Sequence, residues 1–133
     1  MSNCCDSKTA ESSCCCSGNG PRLVLSCSGG SNVGQIANSA AMELDKQGKA
    51  QMYCLVGVAA HLGGMVDSAK AASGIIAIDG CQVACAKAAL DHMQIPYTQH
   101  IVVTDLEIKK NHVFEWTDEQ VNKVVSVVRD PAN

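Results

Sequence analysis

Four cysteines, Cys27, Cys54, Cys81 and Cys85, lie in the part of the chain that alternates between strand-like and helix-like patterns, and five more, Cys4, Cys5, Cys14, Cys15 and Cys16, crowd the N-terminus. A cysteine thiolate can act as a nucleophile, a redox partner or a ligand for soft and borderline metals. A disulfide framework suits small, loop-rich secreted chains, and nine cysteines would leave one unpaired. Metal or redox chemistry is therefore the expectation. The run CSGGSNVG that begins at Cys27 adds a second possibility. Ser28, Gly29, Gly30 and Asn32 could line a cofactor- or anion-binding loop at the start of a helix. It has no Gly-Lys-Ser/Thr ending for a nucleotide phosphate. Nor does it have the arginine six residues after the cysteine that a cysteine phosphatase uses, since Val33 stands there.

The elements that must position these residues follow from periodicity. Residues 1–20 are rich in Ser, Cys, Gly and Asn with no apolar face, and are expected to be a disordered Cys-rich tail. Residues 21–133 read as a single α/β domain. Leu23, Val24 and Leu25 make a buried strand ending at Cys27. A helix follows over about 33–47, with Val33, Ile36, Ala37, Ala40 and Leu44 on one face and Gly48 at its end. The second strand is expected over 50–55, and a helix over about 58–72 weakened by Gly63 and Gly64. The third strand is 75–78, with a helix over 81–93 broken by Pro96, and the fourth is 100–103. Thr117 and Gln120 have the spacing of a capping box for a last helix with a Val121, Val124, Val125, Val128 stripe.

Strands alternating with helices imply an α/β fold: a three-layer, Rossmann-like or flavodoxin-like parallel sheet of about four strands with helices on both faces. Right-handed crossovers narrow the choice, and order 2-1-3-4 places the switch point beside strand one. Cys27, Cys54 and Cys81 then follow the carboxyl ends of three neighbouring strands. Strands stand about 4.8 Å apart. Tetrahedral zinc with Zn–S near 2.3 Å sets its sulfurs roughly 3.8 Å from one another. Three strand ends can therefore supply three ligands, and Cys85, one helical turn beyond Cys81, the fourth. Asn32, Ser28 and Gln82 are candidates to donate hydrogen bonds to such thiolates, whereas the negative Asp79 is better assigned to capping the next helix.

The segments CSGGSNVGQ at 27–35, CLVGV at 54–58 and IDGCQVAC at 78–85 resemble the DGC domain family, regarded as zinc-binding proteins. The resemblance covers about Arg22 to Lys110 in matching order. It implies a zinc-binding domain whose four cysteine ligands correspond to Cys27, Cys54, Cys81 and Cys85. It supplies no reaction, and it says nothing of the Cys-rich tail.

A metal ion is the expected partner, a protein partner is not identified by the sequence, and composition argues against nucleic acid and membrane. A net charge of -3 leaves no electrostatic footprint for nucleic acid or anionic lipid. The aromatic set is only Tyr53, Tyr97, Phe114 and Trp116, too sparse for base stacking. The longest apolar runs, such as Leu55–Ala60, fall far short of the roughly 20 residues of a membrane-crossing helix. With no apolar leader segment, the expected compartment is the cytoplasm, where thiols stay reduced. The histidines (His61, His92, His100 and His112) show no ligand spacing. Phe114 and Trp116 are expected to pack the last helix, and Lys109 and Lys110 to be solvated. Three readings stay open: a zinc protein of soft-metal or thiol homeostasis, a cysteine-dependent enzyme with Cys27 as nucleophile, and a four-cysteine iron–sulfur protein.

Overall fold

Strand β1 (Gly20–Ser26) is the hub of the molecule. Its Leu23 and Leu25 join one apolar cluster and Val24 the other, so the strand is buried on both faces. That accounts for its unbroken apolar run, the pattern of a covered parallel sheet. The computed structural model describes residues 18–131; the five N-terminal cysteines, and with them nearly all of the expected tail, lie outside the described residues.

The sheet is built from β1, β2 (Gln51–Met52), β3 (Ala72–Asp79) and β4 (Gln99–Val102) in the order β2-β1-β3-β4. Every pairing is parallel, with Leu23 opposite Gln51, Ser26 opposite Ile78, and Asp79 opposite Val102. The α/β class and the strand order are those expected from the sequence.

Two helices cover one face: α1 (Asn32–Lys46) and α5 (Asp118–Ser126), packed on Val24, Ile76, Ile78 and Ile101. The other face carries α2 (Leu55–Ala59), α3 (Gly63–Lys70) and α4 (Cys85–His92), packed on Leu23, Leu25, Ile75 and Ala77. Helix α1 starts where Ser31 Oγ accepts the Gly34 amide and stops before Gly48, whose φ of 70° is easy only for glycine. Its Val33, Ile36 and Leu44 are fully buried, each contributing about 1.5–3 kcal/mol by leaving water. The capping box of α5 forms as its sequence indicates, with Thr117 and Gln120 exchanging hydrogen bonds.

Four local expectations need correction. Strand two is two residues long, because the chain turns after Met52 to let Cys54 cap α2. The single helix of 58–72 is two helices, parted by a turn in which His61 adopts a left-handed φ of 62°. The third helix starts at Cys85 rather than Cys81, since Ala84 is left-handed at φ 55°. Cys81 and Cys85 therefore do not share a helical face. Finally, Phe114 and Trp116 are exposed rather than packed into the core beneath the last helix. No helix among the described residues is long and apolar enough to cross a membrane.

Candidate metal centre

Because all four strands run parallel, the segments after β1, β2 and β3 leave the sheet at one edge, and the four cysteines sit on those segments. Cys27 directly follows β1, where its amide donates to Ile78 O at 2.8 Å, and its half-buried Sγ accepts the Gly29 amide at 3.3 Å. Cys54 is the N-cap of α2, with its exposed Sγ accepting the Gly57 amide at 3.4 Å. Cys81 is half-buried two residues past β3, and Cys85 opens α4 with an exposed thiol.

Although Cys85 is exposed as a residue, partial desolvation of its thiol raises it above its ordinary range, and the charges of Cys27, Asp79 and Cys81 raise it further. Three thiols thus share one electrostatic neighbourhood. Cys54 does not figure among the charges acting on Cys85. Among the described residues, no three or more His, Cys, Asp or Glu side chains stand together as a ready metal cage.

The surrounding hydrogen bonds fix the backbone of this edge. Gln35 Nε2 donates to the carbonyls of Ser28 and Gly29 at 3.3 and 3.1 Å, which ties the glycine loop to α1. Ser28 and Gly30 themselves are exposed, and Gly29 is half-buried. Asn32, 3% exposed, does not face a thiol. Its Nδ2 donates to Lys109 O at 2.8 Å and its Oδ1 accepts the Asn111 amide at 2.7 Å. The Asn32 amide in turn donates to Asn111 O at 3.0 Å. Together with the Ser31–Gly34 cap, these bonds engage two first-turn amides of α1 that an anion would need. Gln82 is likewise turned away, donating to Asp105 Oδ1 at 2.6 Å.

Asp79 performs the capping role assigned to it. Ala84, the N-cap of α4, has no acceptor side chain, so the Asp79 carboxylate accepts from the amides of Ala86 and Lys87 at 2.6 and 3.1 Å. His100 Nε2 lies 2.8 Å from the same carboxylate. Gly80 then lets β3 pass beneath α1: a Cβ there would meet Gly34 N at 2.7 Å and Val33 C at 2.8 Å.

Lys110 is the residue that sequence reasoning missed. The strap held by Asn32 carries its Nζ to 3.5 Å from Cys81 Sγ, so a cation faces the thiol edge. No local pattern marks it, because the contact joins positions far apart in the chain. The fold also brings together two histidines that have no ligand spacing in the sequence: the rings of His61 and His92 stand 5.2 Å apart.

A four-stranded parallel sheet with cysteines following three neighbouring strand ends defines an α/β domain with a thiol-bearing edge. The chain belongs to the DGC domain family, whose model matches residues 23–128. It is similar to the anaerobic and virulence modulator AnvM of Pseudomonas aeruginosa, with 37% identity over 90 residues that span 68% of this chain and 69% of that protein. No solved structure matches the chain.

Proposed function

We propose that this protein binds zinc through the thiolates of Cys27, Cys54, Cys81 and Cys85 and serves soft-metal or thiol homeostasis in the cytoplasm. The observation that carries the reading is the placement of the four cysteines on the segments that follow β1, β2 and β3, at one edge of the parallel sheet. Thiolates gathered there repel one another, and a dication relieves that repulsion. Amide N–H groups already donate to the sulfurs of Cys27 and Cys54, the kind of bond that stabilises ligand thiolates. Lys110 offsets part of the charge that four thiolates leave around zinc. The four thiols do not stand as a ready cage, so binding requires these segments to rearrange around the ion. The similar protein from Pseudomonas aeruginosa is named a modulator, which favours binding over turnover.

Elemental analysis tests this on a full chain whose five N-terminal cysteines are replaced by serine. About one equivalent of zinc is expected, falling to near zero in Cys81→Ser. Less than half an equivalent, unchanged by Cys81→Ser, refutes the four-cysteine site.

The second reading is a cysteine-dependent enzyme with Cys27 as nucleophile, favoured by the Gly29 amide on its sulfur. It requires Cys27 to be alkylated far faster than the other three thiols in zinc-loaded protein. Protection of all four until a chelator is added decides for the first reading.

A further inference from the structure

The imidazole pair formed by His61 and His92 lies apart from the thiol edge. His61 occupies the turn between α2 and α3, and His92 is the last residue of α4. Helices α2 and α4 carry Cys54 and Cys85 at their opposite, N-terminal ends. At about 1.5 Å per helical residue, His92 lies about 10 Å along α4 from Cys85.

We infer that His61 and His92 form a second, exchangeable site for a borderline divalent ion such as Zn2+, on a surface distinct from the cysteines. The first support is spacing. A metal–nitrogen bond near 2.0–2.1 Å puts an imidazole centroid about 3.2 Å from the ion, so two imidazoles at a tetrahedral angle stand about 5.2 Å apart. The ring centroids of His61 and His92 are 5.2 Å apart with their planes tilted by 32°. The two residues sit on different helical segments, so this approach is made by the fold and not by sequence spacing. The second support is access. Both residues are exposed, which leaves the remaining coordination positions to water and lets an ion enter and leave.

The third support lies in the turn. His61 holds a left-handed φ of 62° just beyond α2, with its amide donating to Val58 O and the next amide to Gly57 O, both at 3.1 Å. That position favours glycine, and the cap makes no use of an imidazole. Two neutral nitrogen ligands without a thiolate select Zn2+, Ni2+ or Cu2+ over Cu(I), and hold them less tightly than a thiolate cage. The site stands on its own geometry and does not depend on the four-cysteine reading.

The test is a Zn2+ titration of the full chain with its five N-terminal cysteines replaced by serine, followed by the imidazole Cε1 resonances of all four histidines. Zn2+ is diamagnetic, so ions taken up by cysteines do not broaden these signals, and only direct ligation perturbs both rings with one dissociation constant. His61 and His92 are expected to shift together with one dissociation constant, while His100 and His112 stay still. His61→Gly keeps the left-handed cap, and should weaken Zn2+ binding at His92 by about tenfold or more through loss of the chelating partner. His92→Gln should do the same at His61. The inference is overturned if His92 shifts equally well in His61→Gly, or if the four histidines respond alike. Failure of the thiol site would appear separately, as His61 and His92 shifting from the first equivalent of metal.

Discussion

Replacing Asp79 should separate what this residue does for the fold from what its charge does to the thiols. The carboxylate is 1% exposed and holds three partners: the amides of Ala86 and Lys87, and His100 Nε2. Asp79→Ala removes the cap of a helix that has none of its own and strands the fully buried Ala86 amide. Hydrogen bonds to a charged group contribute about 1.5–3 kcal/mol each, and part of this returns where water reaches Lys87 and His100. A loss of about 3–5 kcal/mol follows, a large share of the roughly 5–15 kcal/mol that holds a domain of this size together. The melting temperature should fall by roughly 10–20 °C. Asp79→Asn keeps the shape and one acceptor, and should cost roughly 1–3 kcal/mol. The charge acts in the opposite sense on reactivity. Asp79 is one of the groups that raise the Cys85 thiol, so its neutralisation moves that thiol back toward its ordinary range. In metal-free protein, the pH profile for alkylation of Cys85 should therefore shift to lower pH in Asp79→Asn while urea unfolding moves to lower denaturant. An unchanged unfolding midpoint in Asp79→Ala would refute the capping argument. A Cys85 profile moved to higher pH would refute the electrostatic one.

Gly80→Ala brings a Cβ against the backbone of Val33 and Gly34, where no flexible side chain can give way, and should cost about 1–3 kcal/mol or more by overpacking. A melting curve within error of the parent would show that β3 and α1 are not locked at that crossing. Asn32→Ala removes both side-chain bonds to the 109–111 strap, and should lower stability by about 1–3 kcal/mol, with faster hydrogen exchange at the Asn111 amide. Exchange unaltered at Asn111 would mean the strap is held by other contacts.

The strands and both helix faces are legible in the sequence because burial on two sides writes itself as runs such as Leu23 to Leu25, while a helix packed on one side writes itself as the Val33, Ile36, Ala37, Ala40 stripe. The capping box at Thr117 and the glycine stop at Gly48 are local chemistry, and local chemistry reads directly. The departures fall where a distant group intervenes or where a residue other than glycine takes a left-handed position. Ala84 gives no sign that the third helix starts after it, since the acceptor that caps that helix is Asp79 on β3. His61 gives no sign of ending a helix, since a left-handed residue is ordinarily glycine or asparagine. Phe114 and Trp116 look like core by type, yet the core is already closed by α1 and α5.

The four cysteines were visible from the start, and strand order alone predicts that they share an edge. That much rests on periodicity and on the rule that ligands gather at the carboxyl ends of a parallel sheet. What tertiary structure decided is the surroundings of each thiol. It turned Asn32 and Gln82 away to hold other segments, carried Lys110 to Cys81, and coupled Cys27 and Cys81 to Cys85 through space. It also brought His61 beside His92. Each of these joins residues too far apart in the chain for any repeat or spacing to record. A sequence registers the period of its own elements, whereas such contacts exist only once those elements have packed.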